Sequence, residues 1–296
     1  MNNKSELISV GRLAASLCAA LVISGVLLLA ASSNAQDISM ADGGSTATLN
    51  LGGGTGNLGM NSWSVDGLNQ LNQQWFWYSI NGAVAQSIDN ISTASVQTAN
   101  GNDGINTVVS TYQNNQIQVE VEYVLSGNGV GSGSADIQEY IAIMNTGISQ
   151  FTLNFYQYSN FNLLGGGNDT VNISGSPSGG FTGAVQTTAT GGTGIAELIN
   201  APNANFAEAN FANAGNSSTL YKLNNTANLT LDDAQNAGPG DVTWALQWTA
   251  TLAPGGTLDI TKDKGLSISI VPEPSTIALI LLGVAALGLA GRRQSS

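Results

Sequence analysis

The sequence predicts an all-β fold, an antiparallel β-sandwich of jelly-roll type, on three observations. Apolar and polar residues alternate in period two along several segments, clusters of Gly, Asn, Asp or Pro separate them, and no stretch of the body sustains a helical repeat. The sharpest segment is 117–125, where Ile117, Val119, Val121, Tyr123 and Leu125 alternate with Gln118, Glu120, Glu122 and Val124, and Gly127-Asn128-Gly129 ends the run. A second runs through Val242, Trp244, Leu246, Trp248, Ala250 and Leu252 to Pro254-Gly255-Gly256, after which Leu258 and Ile260 resume the alternation. Leu266, Ile268 and Ile270 form the last. Weaker alternation marks 75–80, 91–98, 107–112, 137–144, 151–158, 182–188 and 229–231. Residues 203–213, following Pro202, read as one short helix or a loop. Residues 36–62 hold Gly43-Gly44, Gly52-Gly53-Gly54 and Gly56, which suits a Gly-rich flexible leader or a loosely paired first strand, so the sandwich domain is expected over 63–271.

Both ends carry targeting chemistry. Lys4 and Arg12 precede small and apolar residues from Leu13 to Ala31, and Ser33-Asn34-Ala35 places small residues where a signal peptidase would cleave after Ala35. Residues 1–35 therefore read as a signal peptide that delivers the chain to the general secretion machinery; an uncleaved N-terminal membrane helix would export the middle equally well. At the other end, Pro272 and Pro274 flank Glu273 and disfavour helix upstream, so the apolar run from Ile277 to Ala290 begins as a separate element. Its fourteen residues rise about 21 Å as a helix, against a hydrocarbon core of about 30 Å. A span over about 276–291 is a short, transient anchor. Arg292 and Arg293 follow directly and hold that end on the cytoplasmic side.

The composition excludes several classes of function. Residues 36–271 hold only Lys222, Lys262 and Lys264 against seventeen acids, a net charge of −14. Nucleic acid and anionic membrane surfaces are poor partners for such a body. Arg clamps for phosphate cannot be built from it. That span contains neither His nor Cys, so disulfides, His- or Cys-based zinc sites, Ser-His-Asp triads and Cys-His dyads are excluded by inventory.

Val271-Pro272-Glu273-Pro274-Ser275-Thr276, the Ile/Leu/Ala/Gly-rich run and Arg292-Arg293 together resemble the PEP-CTERM sorting signal of Gram-negative bacteria. The resemblance covers 271–296. It implies processing by an exosortase, an integral-membrane transpeptidase of bacteria that make exopolysaccharide, with Pro272, Glu273 and Pro274 as recognition residues and this chain as substrate. An ordinary C-terminal anchor after a proline turn is the bland alternative. Residues 240–248, 252–256 and 262–264, and also 63–78, are similar to a recurrent β-sandwich ectodomain found ahead of such tails; that likeness brings no known active site.

Four groups of residues are candidates for chemistry. Glu120 and Glu122 share a strand face at roughly 6.5 to 7 Å, compatible with carboxylate acid/base work on a polysaccharide, though an amphipathic strand puts charges there anyway. Trp75 and Trp77 share a face and would stack on sugar rings if exposed, burial being the commoner fate of such rings. Asp103 and Asp169 sit in Gly-x-Asp-like kernels that echo calcium β-roll repeats, but stand singly and suit tight turns. Asp232, Asp233 and Asp241 form a similar loose cluster. The expectation is an exported, non-catalytic surface or matrix protein without cofactor, associated with extracellular polysaccharide; a carbohydrate-binding module or carbohydrate-active enzyme is the alternative.

Overall fold

A computed structural model describes residues 37–52 and 57–269; the signal region, the Pro-Glu-Pro motif, the anchor and the terminal arginines lie outside them. The chain opens with β1 (Asp37–Asp42), β2 (Ser45–Asn50), β3 (Gly59–Val65), β4 (Leu68–Asn69), β5 (Leu71–Ile80) and β6 (Gln86–Ser87), all in one sheet. It then meanders through a second sheet as β7 (Ser95–Asn100), β8 (Ile105–Gln113), β9 (Ile117–Gly127) and β10 (Ser134–Asn145). From there it alternates. β11 (Phe151–Phe161) returns to the first sheet, β12 (Asp169–Ser176), β13 (Gly180–Thr188) and β14 (Gly194–Ala201) extend the second, and β15 (Phe206–Phe211) edges the first. A short helix α1 (Thr219–Asn225) follows, then β16 (Asn236–Gly240) in the second sheet, β17 (Val242–Leu252) in the first and β18 (Thr257–Ser267) in the second.

The main path of the first sheet is β1-β2-β3-β5-β11-β17-β15, and the second runs β16-β12-β13-β14-β18-β10-β9-β8-β7. Every pairing between the named strands is antiparallel. This is the predicted all-β sandwich. Pro254-Gly255-Gly256 does not close a hairpin, however: Gly255 sits at φ +73° and the turn carries the chain from β17 in one sheet to β18 in the other.

Period-two alternation builds the core as expected. In β9, Ile117, Val119, Val121, Tyr123 and Leu125 are fully buried while Gln118, Glu120, Glu122 and Val124 are half-exposed. Large rings then fill the space between layers. Trp244 stacks on Phe161 with centroids 6.3 Å apart and planes 3° from parallel, and its indole N–H donates to Gln186 Oε1 across the sandwich at 3.3 Å. Phe76 stacks on Phe155 at 5.5 Å.

Three expectations need correction. The Gly-rich stretch 36–62 is no leader, because β1, β2 and β3 pair within it and bury Met40, Ala47, Leu49 and Met60. Gly43 within it serves close approach: at φ +50° it lies against Gly127 of the second sheet, where an added Cβ would sit 2.4 Å from the Gly127 carbonyl oxygen. Residues 203–213 contain strand β15 rather than a helix, and the helix comes later, where Ser218 caps Thr219–Asn225 by accepting from the Tyr221 N–H at 3.4 Å. Residues 229–231 form no strand; Leu229 and Leu231 are buried in the connection after α1.

Truncating Trp244 to Ala should destabilise the fold by about 3–5 kcal/mol, since it removes a fully buried ring and orphans the Gln186 amide. The denaturant midpoint of Trp244→Ala against wild type measures this, and a change within about 1 kcal/mol would contradict the packing described.

Candidate functional site

Sequence-predicted residues end up in different places. Trp75 and Trp77 are 0% and 3% exposed, so neither presents a face to a sugar ring. Their indole N–H groups donate inward, Trp75 to Ser87 Oγ at 2.7 Å and Trp77 to Asn224 Oδ1 at 3.2 Å. Stacking by these two rings is thus corrected: they are core. Asp103 and Asp169 each accept hydrogen bonds from neighbouring groups. Asp103 Oδ2 accepts from the Gly43 N–H at 2.8 Å, while the buried Asp169 accepts from the Leu163 N–H at 3.1 Å and the Gln186 amide at 2.9 Å. Asp232 lies 3.8 Å from Lys222, and Asp233 accepts from the Ala207 N–H. Among the described residues no group of three or more His, Cys, Asp or Glu is placed to hold a metal ion.

Glu120 and Glu122 lie on the outer face of the second sheet, opposite Ala142 and Tyr140 of β10. Glu120 accepts from Thr111 Oγ1 at 3.2 Å. Partial burial, then the neighbouring Glu120 charge, raises the Glu122 carboxyl above its ordinary range. Further along the same face, Asp263 of β18 lies diagonally across from Asp136 of β10. Burial first, then interaction with the neighbouring Asp263 carboxyl, pushes Asp136 up to about 7, against a smaller opposing pull from Lys264.

The groove that best fits a ligand lies on the outer face of the first sheet. Gln157 of β11 points at the second sheet, so by alternation Tyr156 and Tyr158 point outward. There α1 covers part of them. Glu208 of β15, itself fully buried, holds the helix by accepting from Thr219 Oγ1 at 2.6 Å and pairing with the Lys222 ammonium. The result is an open groove of about 580 Å³ floored by Gln73, Tyr158 and Asn160 and walled by Tyr221, Asn224 and Asn225. Its lining has no charged side chain. Tyr158 packs edge-on against Trp77 at 6.1 Å, and burial raises its hydroxyl to about 12, so it stays a neutral hydrogen-bonding group.

A second cluster was missed at the sequence level. Glu139 of β10, Glu197 of β14 and Lys262 and Lys264 of β18 all turn inward and are at most 3% exposed. Register sets Glu139 opposite Lys262 and Glu197 opposite Lys264. Lys262 Nζ lies 2.5 Å from Glu139 Oε2 and 3.7 Å from Glu197 Oε1, and Lys264 Nζ pairs with Glu139 and stands 3.5 Å from Glu197 Oε2. From the facing sheet Gln157 meets them, accepting from Lys262 at Oε1 and donating from Nε2 to Glu197 Oε2 at 2.8 Å. The signal was available: Lys262 and Lys264 occupy the inward parity of Ile260 and Leu266, and Glu139 that of Ile137 and Ile141.

Residues 271–294 match the PEP-CTERM protein-sorting motif. The chain carries an exosortase sorting signal. It is accordingly exported, anchored in the membrane before cleavage, and destined for the cell surface or extracellular space. A search of curated proteins finds no match. Solved structures of similar shape include a bacterial glucoamylase complexed with acarbose, at 10% identity and a TM-score of 0.49, aligned over 86% of this chain and 37% of that one. A putative aldose 1-epimerase from Escherichia coli K12 aligns at 9% identity and a TM-score of 0.45, over 78% of this chain and 98% of that one. A galactose mutarotase-like protein from Lactobacillus casei gives 9%, 0.45, 78% and 99%. The chain spans little more than a third of the glucoamylase.

Because Asp136 holds its proton more tightly folded than unfolded, its ionisation opposes folding. Its contribution to stability should therefore fall as pH rises from its ordinary 3.8 through about 7. Melting temperatures of wild type and Asp136→Asn across pH 4 to 8 test this: the variant should gain relative to wild type toward pH 8, and parallel curves would refute it.

Proposed function

We propose that this PEP-CTERM protein is a non-catalytic surface or matrix component that associates with extracellular polysaccharide through the groove on the first sheet. The observation that carries this reading is the lining itself. Amides of Gln73, Asn160, Asn224 and Asn225 supply donors and acceptors, and the exposed Tyr221 supplies aromatic surface, without a charge among them. That set suits hydroxyl-rich, neutral chains. It also avoids the electrostatic cost of bringing a strongly acidic body onto a charged ligand. The non-catalytic part rests on inventory: residues 36–271 have no His or Cys, and Glu120 and Glu122 stand on an open sheet face beside Thr111 and Tyr140.

Tyr221 is 41% exposed and makes no core contact that its removal would break, so Tyr221→Ala is the cleanest probe. Retention of the purified protein on exopolysaccharide from its own culture should drop roughly fivefold, the effect of losing about 1 kcal/mol of ring contact, with melting temperature unchanged. Equal retention of variant and wild type would sink the groove assignment. Turnover of a polysaccharide panel that is abolished by Glu120→Gln would replace the non-catalytic reading with an enzymatic one.

A further inference from the structure

The buried cluster holds the parts of a covalent joint. An amine, a carboxamide and two carboxylates meet inside the sandwich, the amine and the carboxamide coming from opposite sheets. We propose that Lys262 and Gln157 join spontaneously through an isopeptide bond, stapling β18 to β11 and releasing ammonia.

The geometry supplies every role. Lys262 Nζ already hydrogen-bonds Gln157 Oε1, so the nucleophile stands beside the carbon it would attack. Glu139 Oε2, 2.5 Å from Nζ, takes the first proton. Glu197 touches both sides of the exchange: Oε1 is 3.7 Å from Lys262 Nζ, a charge contact without a hydrogen bond, and Oε2 accepts from the departing Nε2 at 2.8 Å. It can therefore carry a proton from nucleophile to leaving group. In balance, the Nζ–Cδ bond forms and the Cδ–Nε2 bond breaks. Of the three protons on the Lys262 ammonium, one stays on the new amide, one leaves on ammonia and one remains on a carboxyl. No oxidant, reductant or metal is needed.

Charge favours Lys262 over Lys264 as the nucleophile. Burial pulls both ammoniums down, but for Lys262 burial prevails over the attraction of Glu139 and Glu197, and for Lys264 the two carboxylates prevail and hold it above its ordinary value. Burial pushes Glu139 up, and the two ammoniums more than reverse this, leaving it an ionised carboxylate beside the amine. The Phe76 ring, 5.0 Å from Nζ, closes the site on the side of the first sheet. The product is electrically balanced: Lys264 faces one carboxylate, the second carboxyl is protonated, and neutral ammonia has left. Before the reaction two ammoniums and two carboxylates must be held in a dry core, so the joint also lowers the number of buried charges.

The test is mass spectrometry of the folded, secreted protein. Its intact mass should fall one ammonia below the sum of its residues, and a chymotryptic digest should contain a branched peptide joining Lys262 to Gln157. Peptide mapping is essential, because cyclisation of a terminal Gln36 after cleavage at Ala35 would remove the same mass without a branch. Glu139→Gln keeps both reactants and should lose most of the branched peptide while its tryptophan fluorescence remains that of a folded chain. Linear peptides carrying unmodified Gln157 and Lys262 from folded wild type would overturn the proposal. Full branching in Glu139→Gln would overturn the role given to Glu139.

Discussion

Inward-facing charge on three neighbouring strands fixes the second sheet. Glu139, Glu197, Lys262 and Lys264 form a checkerboard on β10, β14 and β18, and a slip of any one strand by a single residue would turn its charges outward and leave the others unpaired in the core. Apolar alternation alone would oppose such a slip less sharply, because Thr, Ala and Gly occupy many outward positions of these strands. Gln157 extends the constraint across the sandwich, tying β11 to the same cluster from the opposite sheet. Register within one layer and alignment between layers thus depend on one group of side chains.

The scarcity of cations elsewhere explains how the remaining acids are handled. Two of the three body lysines are committed to the buried cluster and the third holds Glu208 and α1. Other aspartates turn to backbone N–H groups. Asp42 accepts from Gly127, Asp103 from Gly43, and Asp66 from both Gly131 and Gly133 at 2.7 and 2.8 Å. Glycine-rich loops and acidic residues are therefore one device: the loops expose N–H groups, and the carboxylates gather them. This is also why the Gly-x-Asp kernels resembled cation sites in the sequence while acting as loop ties in the structure.

Strand existence was legible because burial on one face imposes period two, as in β9. Sheet membership was not, since β17 and β18 are separated by a turn whose Pro-Gly-Gly sequence suits a hairpin as well as the arch it forms. The stretch 36–62 misled through its glycines, which signal flexibility locally, whereas Gly43 permits the backbone to approach Gly127 within contact. Trp75 and Trp77 showed an ambiguity of another kind: both faces of β5 are covered, one by the second sheet and one by α1 and its flanks, so alternation in that strand carried no information about exposure. The buried charges were missed because charged side chains were assigned to solvent by default, although their parity placed them inside.

The sorting tail and the body make complementary demands. A chain released from its anchor loses the concentration and orientation that the membrane gave it, so whatever it does at the surface must rest on the folded body alone. That body works in a setting where disulfides usually supply durability, yet it has no Cys between residues 36 and 271. Burial of five large indoles and a paired charge cluster joining the sheets answer that demand without sulfur chemistry. The groove beside α1 is polar, and two of its amides also tie the body together, Asn224 accepting from Trp77 and Gln73 donating to the Leu58 carbonyl.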